Sequence, residues 1–445
     1  MSAFEALRKD IASSSLGKRT GKVSSYLGLV VEATGLDVFV GERCLIECAD
    51  KNIEAEVVGF KQDRAILMPY GSVDGITAKS KVIGLGRKSS IGVGHGLIGR
   101  VVDAFGNPLD GKGVIKSEIK LPLRKPAPHN PLLRARVTDR FDTGVKAIDC
   151  MTPIGKGQRI GVFAGSGVGK STLLGMIAKG SSDVINVIAL IGERGREVLD
   201  FIEERLGHEG LQHSVIVVAT SDEPPLVRSH AVFSAIAIAE FFSDQGKNVL
   251  LMLDSITRLA MAQREIGLAR GEPPTLRGYT PSVFSILPEV LERTGSFKGK
   301  GTITAVFAVL VEGDDISEPV TDTMRGILDG HIMLSREVAG KGLFPAIDFS
   351  LSNSRLWERF VSDGEKKLIS NVKRVLNDKK SIDEMIEMGT YRKGSDSLND
   401  IKLRCGNQIE NMLTQDANEV CKREACFKSL EKEIEVHNSK TSNSK

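Results

Sequence analysis

Between residue 20 and about residue 90 the apolar positions come in short runs, GLVVEA, LDVFVG, CLIECA, AEVVGF and AILMPY, punctuated by Gly, Asp and Asn. Short strands at close, even spacing predict a small barrel or sandwich. Residues 91–135 are rich in Gly, Pro and Lys and read as an extended connector. From about 140 to 360 the runs lose their polar alternation: VINVIALIG, SVIVVATS, NVLLMLD, TITAVFAVLV and HIMLS. Runs of this kind fit strands buried on both faces of a mostly parallel sheet. REVLDFIEERLG and LVRSHAVFSAIAIAEFFSDQG lie between them with helical texture, so the region alternates β and α. Past about residue 365, LISNVKRVLNDK, SIDEMIEMGT, LNDIKLRCGNQIENMLTQ and ANEVCKREACFKSLEKEIEV carry apolar residues three and four apart, which predicts helices. The closing HNSKTSNSK reads as a disordered tail. The predicted organisation is an N-terminal segment (1–20), a β-barrel domain (21–90), an α/β domain with its entry linker (91–364), a helical domain (365–436) and the tail (437–445).

Composition narrows the classes of function. A net charge of +3 gives no global basic field for nucleic acid, and 5% aromatics leave few platforms for stacking bases. No stretch approaches the run of about 20 apolar residues that a membrane span needs. The first residues, MSAFEALRKDIASSSLGKR, have no apolar signal region, which points to the cytoplasm. The six cysteines form no CxxC pair and no zinc-like spacing with histidine, so they read as small buried or half-buried thiols.

The sharpest motif is GVFAGSGVGKSTLL at 161–174. Gly165, Ser166, Gly167, Val168, Gly169, Lys170, Ser171 and Thr172 lie between an apolar strand and a helix-forming run, the context a phosphate-binding loop requires. Glycines let successive backbone N–H groups wrap a triphosphate, and the following helix points its positive end at the same anion. Lys170 can reach the β and γ oxygens, and the Ser171 hydroxyl can ligate Mg²⁺. The usual pattern has glycine where this chain has Ala164. GHGLIG at 94–99 also matches a glycine fingerprint, but no βαβ unit surrounds it and it reads as a turn into a strand.

Hydrolysis needs further groups: a metal anchor, a residue to orient water and a cation for the developing charge. Asp254 ends the run NVLLMLD, where a carboxylate can face the phosphate loop as a metal anchor or serve as the N-cap of the helix after it. Glu193 ends the strand VINVIALIG and is placed to polarise water, with Arg194 and Glu197 on the next turn; a solvated charged face is the alternative. Arg355 closes the polar loop PAIDFSLSNSR, a setting common to surface residues and phosphate clips.

Taken jointly, TGVKAID (143–149), FAGSGVGKS (163–171), IGERGREV (191–198), LLMLDSITRLAMAQREI (250–266), GEPPTLRGYTPSVFSILPEVLERTG (271–295), VLVEGDD (309–315), ILDGHIMLSR (327–336) and PAIDFSLSNS (345–354) resemble the catalytic subunits of the rotary ATPase superfamily. Within it the chain resembles the type III secretion ATPases, and among those the flagellum-specific export ATPases. The resemblance implies a RecA-like P-loop core between an N-terminal β-barrel and a C-terminal helical domain. It implies Lys170 and Ser171 on phosphate and Mg²⁺, Asp254 on the metal side and Glu193 as general base. It further implies Arg355 as an arginine finger reaching the neighbouring subunit's nucleotide, and Phe344 as the aromatic stacked on adenine, a position where a core Phe is the alternative.

The implied function is Mg-dependent ATP hydrolysis by a homohexamer that energises flagellar protein export. The implied partners are a FliH-like negative regulator, a FliJ-type stalk protein, the export gate and chaperone–substrate complexes, at the inner face of the cell membrane and without nucleic acid. The competing readings are an injectisome ATPase, a rotary-synthase catalytic subunit, a Rho-like RNA translocase and a non-hydrolysing nucleotide-binding scaffold.

Overall fold

The computed structural model describes residues 19–49, 51–125, 130–181 and 183–443; the N-terminal segment expected over 1–20 lies almost wholly outside them. Six strands open the described chain: β1 (Arg19–Leu27), β2 (Val30–Thr34), β3 (Glu42–Glu47), β4 (Asn52–Lys61), β5 (Arg64–Pro69) and β6 (Lys81–Lys88). They close into a barrel in the order β1-β2-β5-β4-β3-β6. Closure removes both sheet edges, and residues such as Val31, Cys44, Ile46, Val57 and Leu67 fill the interior.

Two of these strands, RTGKVSSYL and KVIGLGRK, carry no apolar run, because a strand with one solvated face needs only alternate apolar positions. Conversely LDVFVG, expected as a strand, is a loop over the barrel end with Phe39 and Val40 exposed. It approaches β6 so closely that a Cβ on Gly84 would stand 2.8 Å from Val38 Cγ1.

The connector is more ordered than expected. Its strands β7 (Ser90–Val93) and β9 (Ile119–Pro122) pair with each other, and β8 (Arg100–Val102) joins the edge of the central sheet. A 3₁₀ turn, His95–Leu97, leads into β8, as the fingerprint-like GHGLIG reading anticipated. After a small hairpin of β10 (Arg140–Phe141) and β11 (Ile154–Gly155) come β12 (Arg159–Ala164), β13 (Ile185–Ile191), β14 (Ser214–Ala219), β15 (Val249–Asp254), β16 (Gly295–Ser296), β17 (Thr302–Leu310), β18 (Gly330–Leu334) and β19 (Ile347–Ser354). The sheet order is β19-β18-β12-β17-β15-β13-β14-β8, parallel except where β19 meets β18 and β16 meets β17. Strands β14 and β15 are buried throughout, which is why they read as unbroken apolar runs.

The helix Pro225–Asp244 corrects one expectation. It is long and apolar enough to cross a membrane by length and composition, but 94% of its most apolar window is buried inside the protein, against β13, β14 and β15. It is the core helix of the α/β domain. Glu240 on it forms a two-pronged ion pair with buried Arg293, at 2.9 and 2.7 Å.

Three helices close the chain: Asp363–Glu387, Ser397–Leu413 and Arg423–Asn443. Ser362 and Glu365 form a capping box at the start of the first. The bundle docks on the α/β domain through Val372, Val375, Cys426 and Leu430 against Cys150 and Met151. The last helix runs to Asn443, so most of the span read as a disordered tail (437–445) is helical. Cys426, Leu430 and Ile434 nucleate that helix against the bundle, and extending a nucleated helix through residues without Gly or Pro costs little. Each cysteine is a free thiol; Cys44, Cys150, Cys405 and Cys426 are buried, and Cys48 and Cys421 are half-buried.

Candidate active site

The loop between β12 and the helix Lys170–Gly180 is built for an anion. Gly167 and Gly169 take positive φ of 78° and 97°, which non-glycine residues rarely adopt. No side chain caps the helix that follows, so the N–H groups of its first turn are left for a ligand. Ser166, Gly167 and Ser171 are exposed, Thr172 is half-buried and Val168 is buried beneath them. Ala164 belongs to β12 and is buried in the sheet, upstream of the residues that shape the loop. Its methyl group therefore leaves the glycine cradle intact.

Two neighbouring strands deliver carboxylates to the same place, because parallel strands end together at the carboxyl edge of the sheet. Leu190 pairs with Asp254, which puts Glu193 just beyond the end of β13 beside the end of β15. Lys170 Nζ makes a short contact to Asp254 Oδ1 and lies 3.3 Å from Glu193 Oε1. Burial pulls the ammonium pKa down, but the two carboxylates outweigh it and hold it above its ordinary value. Glu193 is pushed above the usual carboxylate range by burial, with Lys170 opposing and Glu197 adding to the rise. Arg194 and Glu197 are exposed side chains 4.0 Å apart on the outer side of this group. The helix after β15 is capped by the Ser255 side chain, which accepts from Arg258 N. Asp254 therefore does not serve as its N-cap, and its carboxylate faces Lys170 instead.

Arg258 belongs to this constellation and was not singled out from the sequence. Its side chain crowds Gly192, where a Cβ would stand 3.0 Å from its Cβ and Cγ. Its charge acts on Asp254, and its buried Nε has no hydrogen-bond partner. The signal was the arginine one turn into SITR, at four residues from Asp254.

The antiparallel pair β18–β19 separates the remaining two candidates. Phe344 precedes β19 at the end where Leu334 pairs with Ile347, and its ring reaches to 4.0 Å of where a Cβ on Gly169 would stand. It is 47% exposed, so the core-Phe alternative does not hold. Its carbonyl accepts from Gln415 N at 2.8 Å, which fixes this end of the strand to the helical domain. Arg355 follows the other end, where Ser354 pairs with Gly330 and Gly330 with Ile160 near the start of β12. It is exposed, and its guanidinium donates to Arg325 O at 2.9 Å and Gly326 O at 3.3 Å. The structure thus brings together Lys170, Glu193, Asp254 and Phe344, and leaves Arg355 apart.

Comparison with known proteins gives the family. Residues 144–354 match the ATP synthase alpha/beta family nucleotide-binding domain and 23–86 its beta-barrel domain, while 361–432 match the T3SS EscN ATPase C-terminal domain. The third match separates the secretion enzymes from the synthases. The chain belongs to the type III secretion ATPases of the ATP synthase alpha/beta family. This ATPase is 49% identical to the flagellum-specific ATP synthase of Bacillus subtilis over 405 residues, covering 90% of this chain and 92% of that protein. It is 44% identical to the type 3 secretion system ATPase of Xanthomonas euvesicatoria over 416 residues, 93% and 94% of the two chains. The assembled ATPase EscN from the enteropathogenic E. coli type III secretion system superposes with a TM-score of 0.87 at 41% identity, over 93% of this chain and all of that one. EscN in complex with its central stalk EscO gives 0.84 at the same identity and coverage.

Proposed function

We propose that the chain hydrolyses MgATP as a homohexamer that energises protein export through the flagellar type III apparatus. The observation that carries this reading is the convergence of Lys170, Glu193 and Asp254 on the glycine loop, with Arg355 at the far end of the same sheet. The loop and Lys170 hold the β and γ phosphates. Phe344 stacks on the adenine. Glu193 orients and deprotonates the attacking water, and burial, by raising its pKa, makes it a stronger base. Arg258, beside Asp254, helps keep that carboxylate in place.

Mg²⁺ fits the residues present. No group of three or more His, Cys, Asp or Glu side chains forms a metal site among the described residues. Mg²⁺ at nucleotide sites is held by one or two protein oxygens together with phosphates and water, and Ser171 and Asp254 supply that number. The ion contributes charge neutralisation on the phosphates.

Arg355 completes the site of the adjacent subunit. The likeness to assembled EscN supports a ring, and the likeness to EscN with its stalk supports a stalk-like, FliJ-type partner within it. A FliH-like regulator, the export gate and chaperone–substrate complexes are the remaining partners, at the inner face of the cell membrane. The flagellar role is supported by the relative from Bacillus subtilis. The injectisome reading is favoured by the relative from Xanthomonas euvesicatoria. Hydrolysis measured across a protein-concentration series tests the ring: specific activity climbs with concentration if neighbours complete each site and stays flat if they do not. Export of filament in a flagellar-ATPase-null host separates the flagellar role from the injectisome one.

A further inference from the structure

The stretch that runs from the end of β17 through the helix Pro319–Ile327 touches both the phosphate loop and the place where Arg355 rests. At its start Val311 N donates to Ala164 O at 2.9 Å, directly before the loop. Asp314 takes a positive φ of 57° and aims its carboxylate at the first loop glycine. A Cβ on Gly165 would stand 2.3 Å from Asp314 Oδ1 and 2.9 Å from Arg336 Nη2. Asp314 Oδ2 is bound by Arg336 Nε at 3.1 Å, so a carboxylate–guanidinium pair stands beside an anion-binding loop. Asp315 is held by Arg277 Nη2 at 2.6 Å and accepts from Ser317 N at 2.9 Å. Glu318 then caps the helix, accepting from Thr321 N at 2.8 Å.

That helix spans nine residues, about 13 Å. Its last carbonyls, Arg325 O and Gly326 O, hold the Arg355 guanidinium, with the negative end of the helix favouring the cation. One short, capped element therefore has its leading residues on the chain's own phosphate loop and its trailing carbonyls on the arginine offered to the next subunit.

We infer that Asp314 and the helix Pro319–Ile327 are a positioning element that couples occupancy of one subunit's phosphate loop to the placement of the Arg355 it presents to its neighbour. A triphosphate in the loop brings negative charge up to Asp314, while Arg336 is drawn toward the phosphates. The pair is displaced, the helix follows its leading segment, and the carbonyls that hold Arg355 move with it. Asp314 acts through the helix and is a positioning residue. The inference rests on Arg355 acting in trans.

The test uses mixed rings of two chains that are each inactive alone. A Glu193→Ala chain lends its Arg355, and an Arg355→Ala chain supplies the complete phosphate site. Asp314→Asn is placed either on the lender or on the receiver. On the lender it lowers kcat of the mixture roughly five-fold with KM for MgATP unchanged, and Asp314→Glu restores most of the rate. On the receiver it changes kcat less than two-fold. Arg336→Gln on the lender reproduces the loss. An equal loss in both placements, or a loss confined to the receiver, overturns the inference and makes Asp314 part of its own phosphate site. If the unmodified mixture is silent, the trans reading of Arg355 fails and this inference falls with it; an active mixture with no dependence on placement overturns the inference alone.

Discussion

Phe344 and Arg355 stand at opposite ends of one strand. Phe344 leads into β19 beside the phosphate loop, and Arg355 leaves it near the start of β12. Five residue steps separate Ile160 from Gly165 at the start of the loop, about 16 Å at the rise of a strand. An arginine side chain does not span that distance. On the proposed reading, the base side and the arginine side of a complete site come from two subunits, and rotational repetition of one chain supplies both.

Removing the exposed ring at Phe344 tests the adenine contact. Base–aromatic stacking is worth about 1–3 kcal/mol, so Phe344→Ala weakens ATP binding roughly ten-fold or more, while Phe344→Tyr retains most of the affinity. Equilibrium nucleotide titration of the Glu193→Ala background reads this without hydrolysis. Equal affinity for the alanine and tyrosine variants would remove Phe344 from the nucleotide site.

The pH dependence of turnover follows from Glu193. Burial raises its pKa, and the base must be ionised to act. Activity therefore falls as pH drops through that raised value, at higher pH than an exposed glutamate would impose. Glu197 contributes to the rise, so Glu197→Gln moves the acid limb of the kcat profile to lower pH. The profile at saturating nucleotide measures it, and an unmoved limb would assign the titration to another group.

Stability hinges on the buried pair Arg293–Glu240. Both side chains are over nine-tenths buried, and Arg293 also donates to Leu123 O. Arg293→Ala removes both prongs of the guanidinium from the buried carboxylate, which keeps Lys125 at 3.0 Å, and costs about 3 kcal/mol. Denaturant unfolding followed by far-UV signal checks it. Arg293→Met keeps much of the apolar bulk but neither the charge nor the guanidinium over the Phe233 ring, and loses nearly as much if the charge interactions rather than packing are responsible.

Much of this was legible because its chemistry is local. The glycine loop, Lys170 and Ser171 are adjacent in sequence, and a buried strand ending in a carboxylate announced Asp254. The α/β core was legible from unbroken apolar runs. What was missed depends on distant segments meeting. β1 and β6 close the barrel with polar outer faces and leave no apolar run, and LDVFVG is apolar yet covers a barrel end. Asp314 touches the site from a segment 144 residues beyond Lys170, where no local pattern marks it, and Arg258 is marked only by its four-residue spacing from Asp254. The trans assignment of Arg355 came from family resemblance; strand register accounts only for its distance from its own glycine loop.

Mixing the two inactive chains tests the central claim most directly. Glu193→Ala lacks the base, and Arg355→Ala lacks the finger, a loss of about a thousand-fold or more in kcat. If sites are shared between neighbours, an equimolar mixture regains turnover that neither parent has, and the gain rises with protein concentration. Turnover no greater than the sum of the two parents, with both still binding nucleotide and assembling, would contradict a shared site.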